Sequence, residues 1–143
     1  VIRDHLIPAL QSEFVGWDMV FDVPPSPIVT FPAVQPEIGR VFVYDEKHEA
    51  LVVIEHVTHT HFNAYPPASE AERAAIIAED VVEFLKALFS DRVLLFVSSS
   101  GRGNGWTRLD VGSESQDFLS AVRSVVPLPS MRYFLWSRPY EAP

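Results

Sequence analysis

Cysteine is absent from the 143 residues, which removes disulfide cross-links, thiol nucleophiles and thiolate metal sites together. A cytoplasmic location is the expectation that follows. Long apolar runs are missing too. No stretch reaches the roughly 20 residues that cross a bilayer, and no charged segment followed by an apolar one opens the chain as a signal peptide would. A soluble protein with no membrane partner is expected. Because the chain opens at Val1, an initiator methionine is expected to have been lost. Basic residues are scarce, 11 against 19 acids, for a net charge of −8. A surface that grips nucleic acid needs the opposite balance, so nucleic acid is not an expected partner. There is neither a repeat of fixed period nor a low-complexity tract.

Hydrophobic residues, by contrast, make up 48% of the chain, enough to bury one core within a single α+β domain spanning residues 1–143. The charge is unevenly placed. Residues 1–90 carry fourteen acids against five bases, whereas residues 91–143 carry five acids against six arginines. One acidic face opposite a mildly basic one is the expected result, and a basic protein is the partner an acidic face would suit.

The chain is organised around Ala50-Leu-Val-Val-Ile-Glu-His-Val-Thr-His-Thr-His-Phe62. Its first five residues are apolar without interruption, the pattern of a central strand covered on both faces, and its second half turns polar. Upstream, Ile2, Leu6, Ile7, Leu10 and Phe14 have helical spacing, with Pro8 setting the expected start of a short helix. Residues 17–23 alternate like an edge strand. Five prolines between Pro24 and Pro36 limit residues 28–31 to an edge strand at most. Residues 40–45 and 50–62 form an expected hairpin about the polar turn at 46–49.

Ser69-Glu-Ala-Glu72 is a capping box. It opens a helix whose Ile77, Val81, Phe84, Leu85 and Leu88 make one apolar stripe. Residues 92–98 read as an inner strand, Ser99-Ser-Gly-Arg-Gly-Asn-Gly105 as a hairpin loop, and Trp106 onwards as the returning strand. A second capping box, Ser113-Glu-Ser-Gln116, opens a third expected helix through Phe118, Leu119, Val122, Val125 and Val126, closed by Pro127. Residues 131–136 make a last strand. Hairpins dominate this order, so the expected fold is α+β: a mostly antiparallel sheet with about three helices packed on it.

Few residues invite chemistry. In an extended strand His59 and His61 share one face with Glu55, while His56 points to the other. Histidines at i and i+2 can grip one divalent transition metal such as zinc. Glu55, four residues from His59 and thus roughly 13 Å away in a strand, is too far to complete the site. The same histidines also suit a strand end running into water, or a pH-sensitive surface that contacts a partner. Gly101-Arg-Gly-Asn-Gly105 lacks the lysine and the following helix of a phosphate loop. Ser98-Ser-Ser100 lacks a nucleophile elbow. Trp106, beside the glycine loop with Arg102, is a candidate binding anchor, and His56 a candidate contact.

In size, acidity and antiparallel sheet the chain is similar, in general terms, to small bacterial immunity or adaptor proteins. That likeness of shape and charge implies action by binding and carries no residues across. The preferred expectation is a non-enzymatic protein-binding module with no cofactor, using an acidic surface with Trp106, Arg102 and His56. The rival is a small metal-dependent hydrolase or metal-binding protein built on His59 and His61. A homodimer through an apolar edge strand is the further partner considered.

Overall fold

A computed structural model of the chain describes residues 1–110 and 130–140. The described elements run α1 (Ile2–Glu13), β1 (Val20–Phe21), β2 (Val29–Phe31), β3 (Val41–Asp45), β4 (Glu49–Ile54), β5 (Thr58–Asn63), α2 (Glu70–Phe89), β6 (Val93–Ser98), β7 (Gly105–Arg108) and β8 (Met131–Phe134). The fold is α+β, with antiparallel strand pairing throughout. The strands form two sheets, β1-β2-β3-β4-β5 and β7-β6-β8. Two helices are present among the described residues; the third expected helix, from Ser113, lies outside them. No described helix is long and apolar enough to cross a membrane.

α2 forms where its local signals place it. The Ser69 hydroxyl accepts the Glu72 N–H, and the Glu72 carboxylate accepts the Ser69 N–H at 2.7 Å, so two donors that a helix start leaves over are satisfied. These bonds hold the Glu72 pKa below the usual carboxylate range. Ile77, Val81, Phe84, Leu85 and Leu88 are all buried. Glu79, Asp80 and Glu83 line the other side, where partial burial, followed by repulsion from Glu83 and Glu79, raises the Asp80 pKa.

α1 departs from expectation by running through Pro8 rather than starting beside it. Pro8 lies on the solvent side, and burial of Ile2, Leu6 and Leu10 on the flanking turns holds the helix across the missing N–H. β2 is likewise not an edge. Pro27 and Pro32 flank Val29–Phe31 without entering it, so the strand keeps its donors and pairs with both β1 and β3.

Both helices lie on one face of the five-stranded sheet. Buried Val29, Phe31, Val41, Val43, Ala50, Val52 and Ile54 point into a core shared with Leu6, Leu10, Ala74, Ile77, Val81 and Leu85. Val93, Leu95, Phe134 and Trp136 join this core from the second sheet. Leu94, Phe96, Met131 and Leu135 face the opposite way in a smaller cluster. An aromatic group closes one end of the core, with Phe31 and Phe89 ring centres 4.9 Å apart and Phe89 and Trp136 5.0 Å apart. The buried Gln35 amide donates to the carbonyls of Leu135 and Trp136 at 2.6 and 2.8 Å, tying the proline-rich segment to the last strand.

Candidate functional site: the open face of the sheet

The stretch from 50 to 62 is two strands, not one. β4 ends at Ile54, the chain turns through Glu55-His56-Val57, and β5 returns antiparallel with Thr58 opposite Ile54. The turn closes on its own Val57 N–H to Ile54 carbonyl bond at 2.9 Å and is braced by residues from another part of the chain. Glu55 N–H donates to the Arg40 carbonyl at 2.9 Å and His56 N–H to the Ile38 carbonyl at 3.0 Å. The Glu55 carboxylate accepts from the Arg40 backbone N–H at 2.9 Å and from its guanidinium at 2.7 and 3.2 Å. Gly39 makes room for this clamp. It sits at φ +83°, and a Cβ there would fall 2.7 Å from Glu55 Cβ and 2.8 Å from the His56 ring.

The Arg40 side-chain bonds, with help from its backbone N–H, lower the Glu55 pKa from an ordinary 4.5 to about 2. Because this folded-state value lies below that of the unfolded chain, ionised Glu55 favours the fold above about pH 4.5. That contribution fades as pH falls toward 2. Glu55→Gln is therefore expected to be less stable than the parent at pH 7, with the gap closing below pH 4.5. Denaturant midpoints taken at stepped pH check this; a gap that stays constant into acid would contradict the clamp.

Folding the stretch back also changes what it exposes. In β4 Ala50, Val52 and Ile54 are buried, but Leu51 and Val53 are only partly so. The expectation of a strand covered on both sides fails because both helices lie on one side. The register then aligns a row of side chains across all five strands of the uncovered face: Val20, Thr30, Phe42, Val53 and His59. Beside it run Tyr44, Leu51 and His61. Among the described residues, the middle of this face holds no carboxylate, lysine or arginine, although the chain as a whole is strongly acidic. Its charges sit at the ends. Arg40 and Glu55 neutralise each other at one end, with the guanidinium 5.0 Å from the Phe42 ring centre. Asp45, Glu46, Lys47 and Glu49 lie in and beside the β3–β4 turn at the other.

His59 and His61 share this face, their ring centres 5.2 Å apart and nearly perpendicular. The His61 Nδ1 lies 2.8 Å from Glu49 Oε1. His56 belongs to the turn, its Nε2 3.9 Å from Glu55 Oε1, and is not in the outward row. Among the described residues no three His, Asp or Glu side chains are grouped to hold a metal ion.

The structure places the remaining sequence candidates elsewhere. Trp106 is half-buried on the helix side, its ring 4.8 Å from Phe84, which in turn packs on Phe62 at 5.5 Å. These rings fill the space where β5 and β7 approach. Arg102 is exposed at the tip of the β6–β7 loop. That loop is bonded to itself: the Ser98 hydroxyl donates to the Arg102 carbonyl at 2.6 Å, and Asn104 Oδ1 accepts the Ser98 N–H at 2.8 Å.

Sequence reasoning passed over Phe42, Tyr44, Leu51, Val53, Val20 and Thr30. The signal was present, since β4 is apolar on both faces; what was missing was that the fold covers only one of them. Trp17, which opens the segment that alternates like an edge strand, is 45% exposed on a shelf made by Phe14 and Phe89. No family model matches the chain, and no match is found among curated proteins or solved structures.

Proposed function

We propose that the chain is a protein-binding module, adaptor- or immunity-like in acting by contact, which seats a partner on the open face of its five-stranded sheet. One observation carries this reading: a strand apolar on both faces, packed by the described helices on only one. Partly exposed Phe42, Tyr44, Leu51 and Val53 form a charge-poor centre with hydroxyl and imidazole neighbours, the composition of an interface core rather than of ordinary surface. Asp45, Glu46 and Glu49 at the rim favour a partner with basic residues around an apolar contact.

The test is cross-linked capture by three forms of the full chain. The parent and the helix-side variant Glu79→Gln/Glu83→Gln are expected to capture the same protein, more weakly as salt rises. Phe42→Ala/Leu51→Ala is expected to lose it. Undiminished capture by that open-face variant would overturn the assignment of the surface.

A further inference from the structure

We infer that His59 and His61 form a chelating site for a divalent transition ion of borderline softness, such as Zn2+, Cu2+ or Ni2+, with Glu49 orienting one of the two ligands. Three observations meet at this pair. First, the two side chains project from alternate residues of β5 onto the same solvent-facing surface, and both are exposed. Second, their ring centres are 5.2 Å apart. Two imidazoles bound to one tetrahedral ion at about 2.0–2.1 Å place their ring centres roughly 5 Å apart, so the two rings already stand at the spacing a shared ion requires.

Third, His61 Nδ1 lies 2.8 Å from Glu49 Oε1. A carboxylate accepts hydrogen bonds and does not donate them, so the Nδ1 carries the proton and the lone pair of the neutral ring is on Nε2. A carboxylate behind a histidine in this way is the usual support of a metal-ligating imidazole, fixing its tautomer and raising its basicity. Imidazole donors select the later first-row divalent ions over magnesium or calcium, which prefer oxygen.

Two ligands leave the remaining positions of the ion to water or to a group brought from outside. No third described His, Asp or Glu joins the pair. The site borders the open face, where Val53 and Leu51 pair with His59 and His61. An ion held there would present open coordination positions toward whatever docks. Ion uptake by the isolated chain needs no protein partner, so this inference stands or falls separately from the docking reading.

Calorimetric titration of the whole chain with Zn2+ or Cu2+ alone tests it, together with the imidazole NMR signals. One saturable ion per chain is expected, and addition of Zn2+ should move the signals of His59 and His61. His59→Ala and His61→Ala should each weaken uptake at least tenfold, and Glu49→Ala about tenfold. His56→Ala, at the turn and outside the row, should leave it unchanged, with circular dichroism showing that every variant keeps its fold. Absence of saturable uptake, or uptake that survives the combined His59→Ala/His61→Ala change, would overturn the site.

Discussion

Gly39→Ala is expected to lower stability by about 3 kcal/mol, equivalent to a fall in Tm on the order of 10 °C. Two costs add at this position. The residue lies at φ +83°, where a side chain strains the backbone, and its new Cβ would lie 2.7 Å from Glu55 Cβ and 2.8 Å from Glu55 Oε1 and His56 Cδ2. The His56 ring is exposed and can turn aside, but Glu55 Cβ cannot give way cheaply, because its carboxylate is held by three hydrogen bonds from Arg40 and its N–H by the Arg40 carbonyl. Gly16→Ala supplies the internal control. Gly16 has nearly the same φ, +82°, with nothing within 4 Å of the added Cβ. It should cost only the dihedral strain, roughly 1 kcal/mol. Equal losses in the two variants, read from denaturant curves, would show that the chain does not approach Gly39 as described.

The second large effect concerns binding. Phe42→Ala and Leu51→Ala remove apolar anchors from the middle of the open face. Central anchors of an interface are worth about 2 kcal/mol each, or about 30-fold in Kd. The paired change should therefore weaken partner binding by at least about 100-fold. Both side chains are partly buried, so the paired change also lowers thermal stability, and circular dichroism at the assay temperature checks that the variant is folded. Glu79→Gln/Glu83→Gln, on the helix layer across the core, should shift Kd by no more than about threefold. Titration calorimetry or surface plasmon resonance with the captured partner measures all three. A loss in the helix-side variant that matched the loss in the open-face variant would move the interface to the acidic helices.

What the sequence made legible was local. The Ser69–Glu72 capping box and the stripe from Ile77 to Leu88 each lie within one helix, and both appear in the structure where their spacing puts them. The β6–β7 hairpin was equally legible, because its glycines stand in the loop that needs them. The turn after β4 was not. Glu55-His56-Val57 contains no glycine, proline or asparagine, and the glycine that makes room for it is Gly39, in another segment. Its clamp, Arg40, is fifteen residues from Glu55. The turn's own bond, Val57 N–H to the Ile54 carbonyl, is made by backbone groups that any residue supplies, and its bracing comes from outside, so thirteen residues that fold into a hairpin read as one strand.

The same fact hid the candidate surface. A strand apolar on both sides reads as a covered one, and the placement of α1 and α2 on a single side leaves Leu51 and Val53 only partly buried. Trp106 drew attention as the aromatic beside a glycine loop, but its ring fills the space between the two sheets against Phe84. The shared face of His59 and His61 followed from strand alternation alone and is present. Distance along the strand excluded Glu55 without naming another carboxylate; the hairpin brings Glu49 to His61.

The docking face itself is tested most directly by mapping backbone amide shifts in the labelled chain as partner is added. Perturbation centred on Thr30, Phe42, Tyr44, Leu51, Val53, His59 and His61, with little change along α2, is the predicted result. Shifts concentrated instead around Glu79, Asp80 and Glu83, with the five-stranded sheet unmoved, would contradict it.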